Sequence, residues 1–204
     1  LAALEHGKHV LCEARMAMDS TEAMDMLEAS RQRPDLITQI VPAPMSLPVD
    51  ATIIEMISSG YLGDLLSVDL SISTDFIDHQ SPFMWRHDRD LSGNNIMTMG
   101  IWYEILMRHL GPANNVTALT RVNVKSRFDQ TGKRHSITIP DQVEIICEMA
   151  SGPITHMRIS SVIGLAPPDS IWYHGTKGTL VYNVSSNSLI AGQRDTNLLK
   201  EVSI

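Results

Sequence analysis

The chain has 204 residues, 43% of them apolar and 19% charged, enough for one substantial domain or for one domain with part of another. Its formal net charge of -7 argues against a nucleic-acid partner, because phosphate binding needs a concentrated Lys/Arg surface. The longest apolar runs are too short to span a bilayer, Ser58, Ser59 and Asp64 interrupt the best of them, and no secretory leader pattern opens the chain.

Leu1 to Glu5 read as the end of a helix, with Gly7 at the position after its C-cap, so the chain is expected to be a piece of a longer protein. His9 to Glu13 form a short buried strand, and Asp19 with Glu22 make a capping box for a helix that stops at Pro34. Leu36 to Val41 are a second short strand, completing a strand–helix–strand order typical of parallel α/β units. After Pro42-Ala-Pro44, Val49, Ile53, Met56 and Ile57 share one helix face, and Gly60 ends that helix. In the next strand, Leu65 to Phe76, Leu66, Val68, Leu70 and Ile72 point one way and Ser67, Asp69, Ser71 and Ser73 the other. A long loop through Trp85-Arg86 precedes a helix over 95–110. Five strands are then expected, at 116–124, 142–150, 153–161, 169–175 and 178–183, with Ser151-Gly152 as a tight hairpin turn. The predicted fold is therefore α/β plus α+β: the C-terminal part of a Rossmann-like domain over 1–45, then a mostly antiparallel sheet domain over 46–204 with helices on one face. The 12 Met against 3 Phe read as gap-filling core residues. Cys12 and Cys147 read as thiols of a reducing compartment, which places the protein in the cytoplasm.

Residues 4–18, Leu-Glu-His-Gly-Lys-His-Val-Leu-Cys-Glu-Ala-Arg-Met-Ala-Met, resemble the "GKHVLCEKP" segment of the glucose–fructose oxidoreductase/inositol dehydrogenase (Gfo/Idh/MocA) family. The likeness continues in register through Gly60-Tyr-Leu-Gly63, Trp85-Arg86, Ser92 to Gly100, and Gly175-Thr-Lys-Gly-Thr-Leu180. It implies an oxidoreductase of sugars, polyols or related hydroxylated compounds, with NAD or NADP as cofactor on a Rossmann-like domain. The glycine-rich turn that would carry the phosphates is not in this sequence, so the chain alone is expected to be inactive. Glu13, Ala14, Arg15, Trp85 and Arg86 fall at the family's cofactor-facing positions. Arg86 is suited to hold a carboxylate or phosphate oxygen bidentately and Trp85 to stack on a ring or sugar. Both are expected beside the Glu13–Arg15 loop, lining a cleft between the domains.

The sequence departs from the family where its chemistry is expected. Ala14 stands for the catalytic lysine and Arg15 for the proline after it, while Thr98 and Trp102 replace the aspartate and histidine. None of Ala14, Thr98 and Trp102 moves a proton at neutral pH, although i and i+4 still share a helix face beside the substrate. Glu104 is the best substitute general acid–base, with Tyr103 as a second proton donor; the plainer reading of Glu104 is a surface pair with Arg108. His109 reads as a histidine favoured by the helix C-terminus. Gly175 and Gly178 read as hairpin residues of positive φ. His79 and His87 match no metal signature, and no metal is expected.

Besides an enzyme, two readings stay open: a non-catalytic ligand-binding or scaffold homologue of the same fold, and an oligomerisation module. The expected partners are a small-molecule substrate and further copies of the chain joined through the open sheet face, with no nucleic acid and no membrane.

Overall fold

In the computed structural model the first elements are α1 (Ala2–Glu5), β1 (Val10–Glu13), α2 (Ser20–Gln32), β2 (Thr38–Val41), α3 (Asp50–Ser58) and β3 (Leu65–Ser73). A 3₁₀ turn (Trp85–His87), α4 (Arg89–Ser92) and α5 (Met99–Leu110) follow. The remaining strands are β4 (Ala113–Arg121), β5 (Ser126–Phe128), β6 (Arg134–Ser136), β7 (Gln142–Met149), β8 (Ile154–Ser160), β9 (Ser170–Gly175), β10 (Gly178–Asn183), β11 (Ser188–Gln193) and β12 (Lys200–Glu201). The structure describes all residues except 14, 42–45, 97, 197 and 204.

These elements form two compact units. The first takes Leu1–Met45, Gln80–Ile96 and Lys125–Ile139; the second takes Ser46–His79, Met97–Val124 and Pro140–Ile204. Segments 80–96 and 125–139, which lie within the stretch 46–204, thus group with the α/β portion.

In the first unit β1 and β2 pair in parallel, from Val10↔Thr38 to Glu13↔Val41. The Asp19 carboxylate accepts from the Thr21 and Glu22 N–H groups at 2.9 and 3.0 Å, and Glu22 in turn accepts from the Met18 N–H at 2.9 Å. This reciprocal cap satisfies donors that helix geometry leaves open. At the other end of α2, Arg33 donates to the Leu4 carbonyl at 2.7 Å and ties the two helices together.

The second unit is built on an eight-stranded sheet in the order β12-β11-β10-β9-β3-β8-β7-β4. Every pairing in it is antiparallel except β3 with β8, which run parallel from Ser67↔Ile154 to Ser73↔Ser160. The expected mostly antiparallel sheet is therefore present, with β11 and β12 as additional strands. Val68, Leu70 and Ile72 of β3 are buried as their alternation requires, but Leu66 is 57% exposed. A register slip between Leu65 and Ser67 against β9 turns it outward, the action of a β-bulge. Ile53 of α3 and Ile105 and Leu106 of α5 join Leu70, Met157 and Ile171 of the sheet among the fully buried residues.

The methionines divide. Met149 and Met157 are core residues, whereas Met16, Met18, Met24, Met84 and Met107 are exposed, so gap filling accounts for only some of them. Among the described residues no helix is long and apolar enough to cross a membrane.

Candidate functional site

In the first unit the residues after the carboxyl end of β1 meet the loop that carries Trp85 and Arg86. Gly93 has φ +63, and a Cβ there would collide with the Met18 carbonyl, so only glycine lets the two backbones approach. The buried Ser92 hydroxyl donates to the Arg86 carbonyl at 3.1 Å and the Asp88 carbonyl at 2.8 Å, fixing the turn. Asp88 caps α4 by accepting from the Asp90 N–H at 3.0 Å. The Arg86 guanidinium stacks 4.6 Å from the centroid of the Trp85 ring, which is 48% exposed. Two residues past Gly93, the Asn95 side-chain nitrogen is buried without an acceptor among the described residues.

The β5–β6 hairpin braces this loop. Phe83 donates its N–H to the Phe128 carbonyl at 2.8 Å and stacks on His135 at 4.0 Å. His135 bonds to Asp129 at 2.7 Å, and Arg127 donates to the Ser81 carbonyl at 2.8 Å. Burial and the nearby Arg127 charge push the His87 imidazole below the ordinary histidine value.

Electrostatically the loop is unbalanced. Among the described residues neither Arg15 nor Arg86 has an acidic partner. The protein packed round Arg15, and then the like charge of Arg86, lower the Arg15 guanidinium from its ordinary value. Glu13 ends β1 on the same stretch, and Ala14 lies outside the described residues. No group of three His, Cys, Asp or Glu suited to a metal occurs among the described residues.

The second unit holds Thr98, Trp102, Tyr103 and Glu104. Thr98 is the N-cap residue of α5, without a side-chain capping bond, and Trp102 lies in the core at 6% exposure. The Tyr103 hydroxyl accepts the Ala113 N–H at 3.0 Å, joining α5 to the start of β4. Glu104 lies 3.6 Å from Arg108, while Arg108 makes its tighter contact, 2.7 Å, with Asp50.

His109 does more than meet a helix dipole. Its Nε2 is 2.7 Å from Asp50 Oδ1 and its Nδ1 is 2.7 Å from the Tyr173 hydroxyl, with the imidazole wholly buried. Asp50 Oδ2 also accepts from the Leu47 N–H at 2.9 Å. Burial pushes His109 below its ordinary value against the opposing pull of Asp50, and drives the fully buried Tyr173 phenol well above its own. With its pKa lowered, the imidazole suits the neutral form, donating from Nε2 to the carboxylate and accepting the tyrosine proton at Nδ1. Sequence reasoning missed Asp50 and Tyr173; the available signal was one acid and one phenol inside otherwise apolar faces.

Gly175 and Gly178 correct another expectation, since neither has positive φ. A Cβ on Gly175 would strike the Leu62 carbonyl, so glycine is needed for close approach rather than for turn geometry. That approach joins the Gly60–Gly63 turn to the β9–β10 hairpin: Lys177 donates its N–H to the Leu62 carbonyl at 2.8 Å, and Asp64 donates to Thr176 Oγ1 at 3.0 Å.

The second unit is a mixed, mostly antiparallel sheet with a few helices, and a parallel strand–helix–strand segment precedes it in sequence. The family model described as the GFO/IDH/MocA C-terminal domain matches residues 51–181, and the chain belongs to that family. Levoglucosan dehydrogenase from Pseudarthrobacter phenanthrenivorans is 24% identical over 200 residues, 90% of this chain and 51% of that protein. Human glucose-fructose oxidoreductase domain-containing protein 2 is 30% identical over 135 residues, 65% of this chain and 34% of that protein. The structure of levoglucosan dehydrogenase in complex with NADH and levoglucosan shares the fold, with a TM-score of 0.82 over 100% of this chain and 56% of that one, at 21% identity. The chain thus spans about half the length, or less, of the relatives it matches.

Proposed function

We propose that the chain is part of an NAD(P)-dependent oxidoreductase acting on a sugar, polyol or related hydroxylated compound. The observation that carries this reading is the family match across residues 51–181. The likeness to levoglucosan dehydrogenase, whose structure contains NADH and levoglucosan, supports the substrate class and favours NAD.

The first unit offers groups that fit such a cofactor. Two guanidinium groups without acidic partners among the described residues and a half-exposed indole suit an anionic molecule with flat rings. In this reading Glu13, Arg15, Trp85 and Arg86 face the dinucleotide, which when bound supplies hydride transfer at the nicotinamide ring. Thr98 and Trp102 mark the substrate side. Glu104 takes the proton of the substrate hydroxyl at a carboxylate oxygen. Its longer contact with Arg108, whose shorter bond is to Asp50, leaves that oxygen available. Tyr103 accepts a backbone N–H yet keeps its own proton to donate.

Copies of the chain associate through the open face of the sheet, where Leu119, Ile146 and Ile154 are exposed around the Glu144–Arg158 and Glu144–His156 pairs. The free thiols Cys12 and Cys147 suit a reducing cytoplasm.

A second reading, a non-catalytic homologue, is favoured by the burial of Trp102 at a family acid–base position. The deciding experiment screens the intact polypeptide against neutral and acidic polyols with NAD and with NADP, following reduced nicotinamide. Turnover supports the enzyme. Dinucleotide binding without turnover across the panel overturns it in favour of the second reading.

A further inference from the structure

We propose that Arg15 and Arg86 together form an oxyanion site, which takes the carboxylate or phosphate group of an acidic sugar. The sugar part of this inference rests on the function proposed above; the anion part does not.

Arg15 lies two residues beyond the end of β1, and ligands of parallel α/β units bind at the carboxyl ends of strands. The close approach of Gly93 to the Met18 carbonyl brings the turn holding Arg86 against this loop. Ser92 pins the carbonyl of Arg86, and Trp85 supports its guanidinium plane. Two positive charges thus share one small region of a chain whose formal net charge is -7, and no carboxylate among the described residues pairs with either. The Arg86 charge also contributes to lowering the Arg15 guanidinium from its ordinary value, behind the larger effect of desolvation.

Like charges brought together cost free energy unless an anion binds between them. Guanidinium forks match the two oxygens of a carboxylate or phosphate, whereas a neutral polyol gains nothing from two adjacent cations. The exposed face of Trp85 adds a flat apolar surface suited to the C–H face of a sugar ring. Family resemblance does not account for Arg15, which stands where the family carries proline. The same oxyanion chemistry is offered by a dinucleotide pyrophosphate, and the test separates the two sources.

The experiment measures the melting temperature of the intact polypeptide in low-salt buffer, titrated with sodium gluconate, sodium phosphate or uncharged glucose. Wild type, Arg15→Gln, Arg86→Gln and the control Arg31→Gln are compared. Gluconate and phosphate should stabilise the wild type and the control, and glucose should not. Each of the two site substitutions should weaken the anion response at least about tenfold. Without anion, Arg15→Gln should melt no lower than the wild type, because it removes a repulsion. Should Arg15→Gln fail to fold, Arg86→Gln decides the matter by the same titration.

Equal anion responses in wild type and site variants would overturn the proposal, as would an equal response to glucose. NADH, added to the intact polypeptide, assigns the source: loss of the gluconate response by competition means a dinucleotide phosphate, and additive responses mean the substrate. A gluconate response that depends on Arg15, with no NADH response at all, counts against the oxidoreductase reading and leaves the anion site standing.

Discussion

His109 Nε2 lies 2.7 Å from Asp50 Oδ1, so the last turn of α5 and the first residue of α3 are joined through a buried imidazole and a nearly buried carboxylate. Arg108 and the Leu47 N–H occupy the other carboxylate oxygen, and Tyr173 on β9 closes the chain of bonds. Three elements of the second unit are thereby joined through His109, and the joint rests on the Asp50 side chain. Removing it leaves an arginine and a histidine short of their partner, which is how buried pairs become costly to break. We expect Asp50→Ala to destabilise the protein by about 3 kcal/mol in urea denaturation. A loss below about 1 kcal/mol would mean that water replaces the carboxylate without penalty.

Burial of the same imidazole sets a pH dependence, against the opposing pull of Asp50. The folded-state pKa of His109 is depressed by burial, so near pH 6 the unfolded chain binds a proton that the folded chain refuses. Stability contributed this way is fully present above the ordinary histidine value of about 6.5 and falls as pH drops below it, until the folded pKa is reached. His109→Gln can still donate to Asp50 and should flatten the slope between about pH 6.5 and 5. Denaturation curves for both proteins across that interval test this, and an unchanged slope would assign the titration to another group.

Strong local periodicity made much of the fold legible in the sequence. The cap at Asp19, the alternation of Val68, Leu70 and Ile72, and the strands from Gln142 to Asn183 all lie where sequence alone put them. Leu66 escaped because a bulge reverses its face, which no binary pattern records. Strands β5, β6 and β12 have two or three mostly polar residues each, too few for a period to show. The Trp85-Arg86 turn and the Arg15 loop were visible as motifs. Their approach to one another depends on a single glycine contact between residues 75 positions apart in sequence, Gly93 and Met18. Asp50 was invisible as a functional group because its side-chain partners, Arg108 and His109, are 58 and 59 residues away in sequence.

That glycine contact is itself testable. Gly93 has a left-handed φ and no room for a Cβ beside the Met18 carbonyl. Gly93→Ala should cost about 1 to 3 kcal/mol in the first unit and move the turn carrying Arg86. Hydrogen exchange should show the loss in amides near residues 15–18 and 85–93, with the second unit unaffected. Protection unchanged in both stretches would refute the contact.

Association through the open sheet face predicts a charge-sensitive oligomer. Ile146 is 54% exposed on β7 and pairs across the ladder with His156 on β8 and Thr117 on β4. An aspartate at this position would place a charge among Leu119, Ile154 and the Glu144 pairs. Ile146→Asp should shift the species seen by light scattering to the monomer mass, with an unchanged melting profile at low concentration. An oligomer that persists in the variant would move the interface elsewhere.

Glu104 separates an enzyme from an inactive homologue. It is the ionisable side chain two residues beyond Trp102, 38% exposed, and 3.6 Å from an arginine whose closer partner is Asp50. An exposed pair of this kind contributes only a few tenths of a kcal/mol. Glu104→Gln keeps the shape of the side chain and removes its capacity to carry a proton. In the intact polypeptide, with a substrate found by screening, kcat should fall by about 10² or more while dinucleotide affinity stays the same. The denaturation midpoint should barely move, because Arg108 retains its bond to Asp50. If the carboxylate serves only the helix surface, turnover is unaltered by the substitution. That result would remove Glu104 from the mechanism and pass the proton to Tyr103, whose phenol hydrogen is not used in accepting the Ala113 N–H. Tyr103→Phe then becomes the decisive variant: it deletes that hydrogen together with one backbone contact, and its cost in stability is read separately from its cost in kcat.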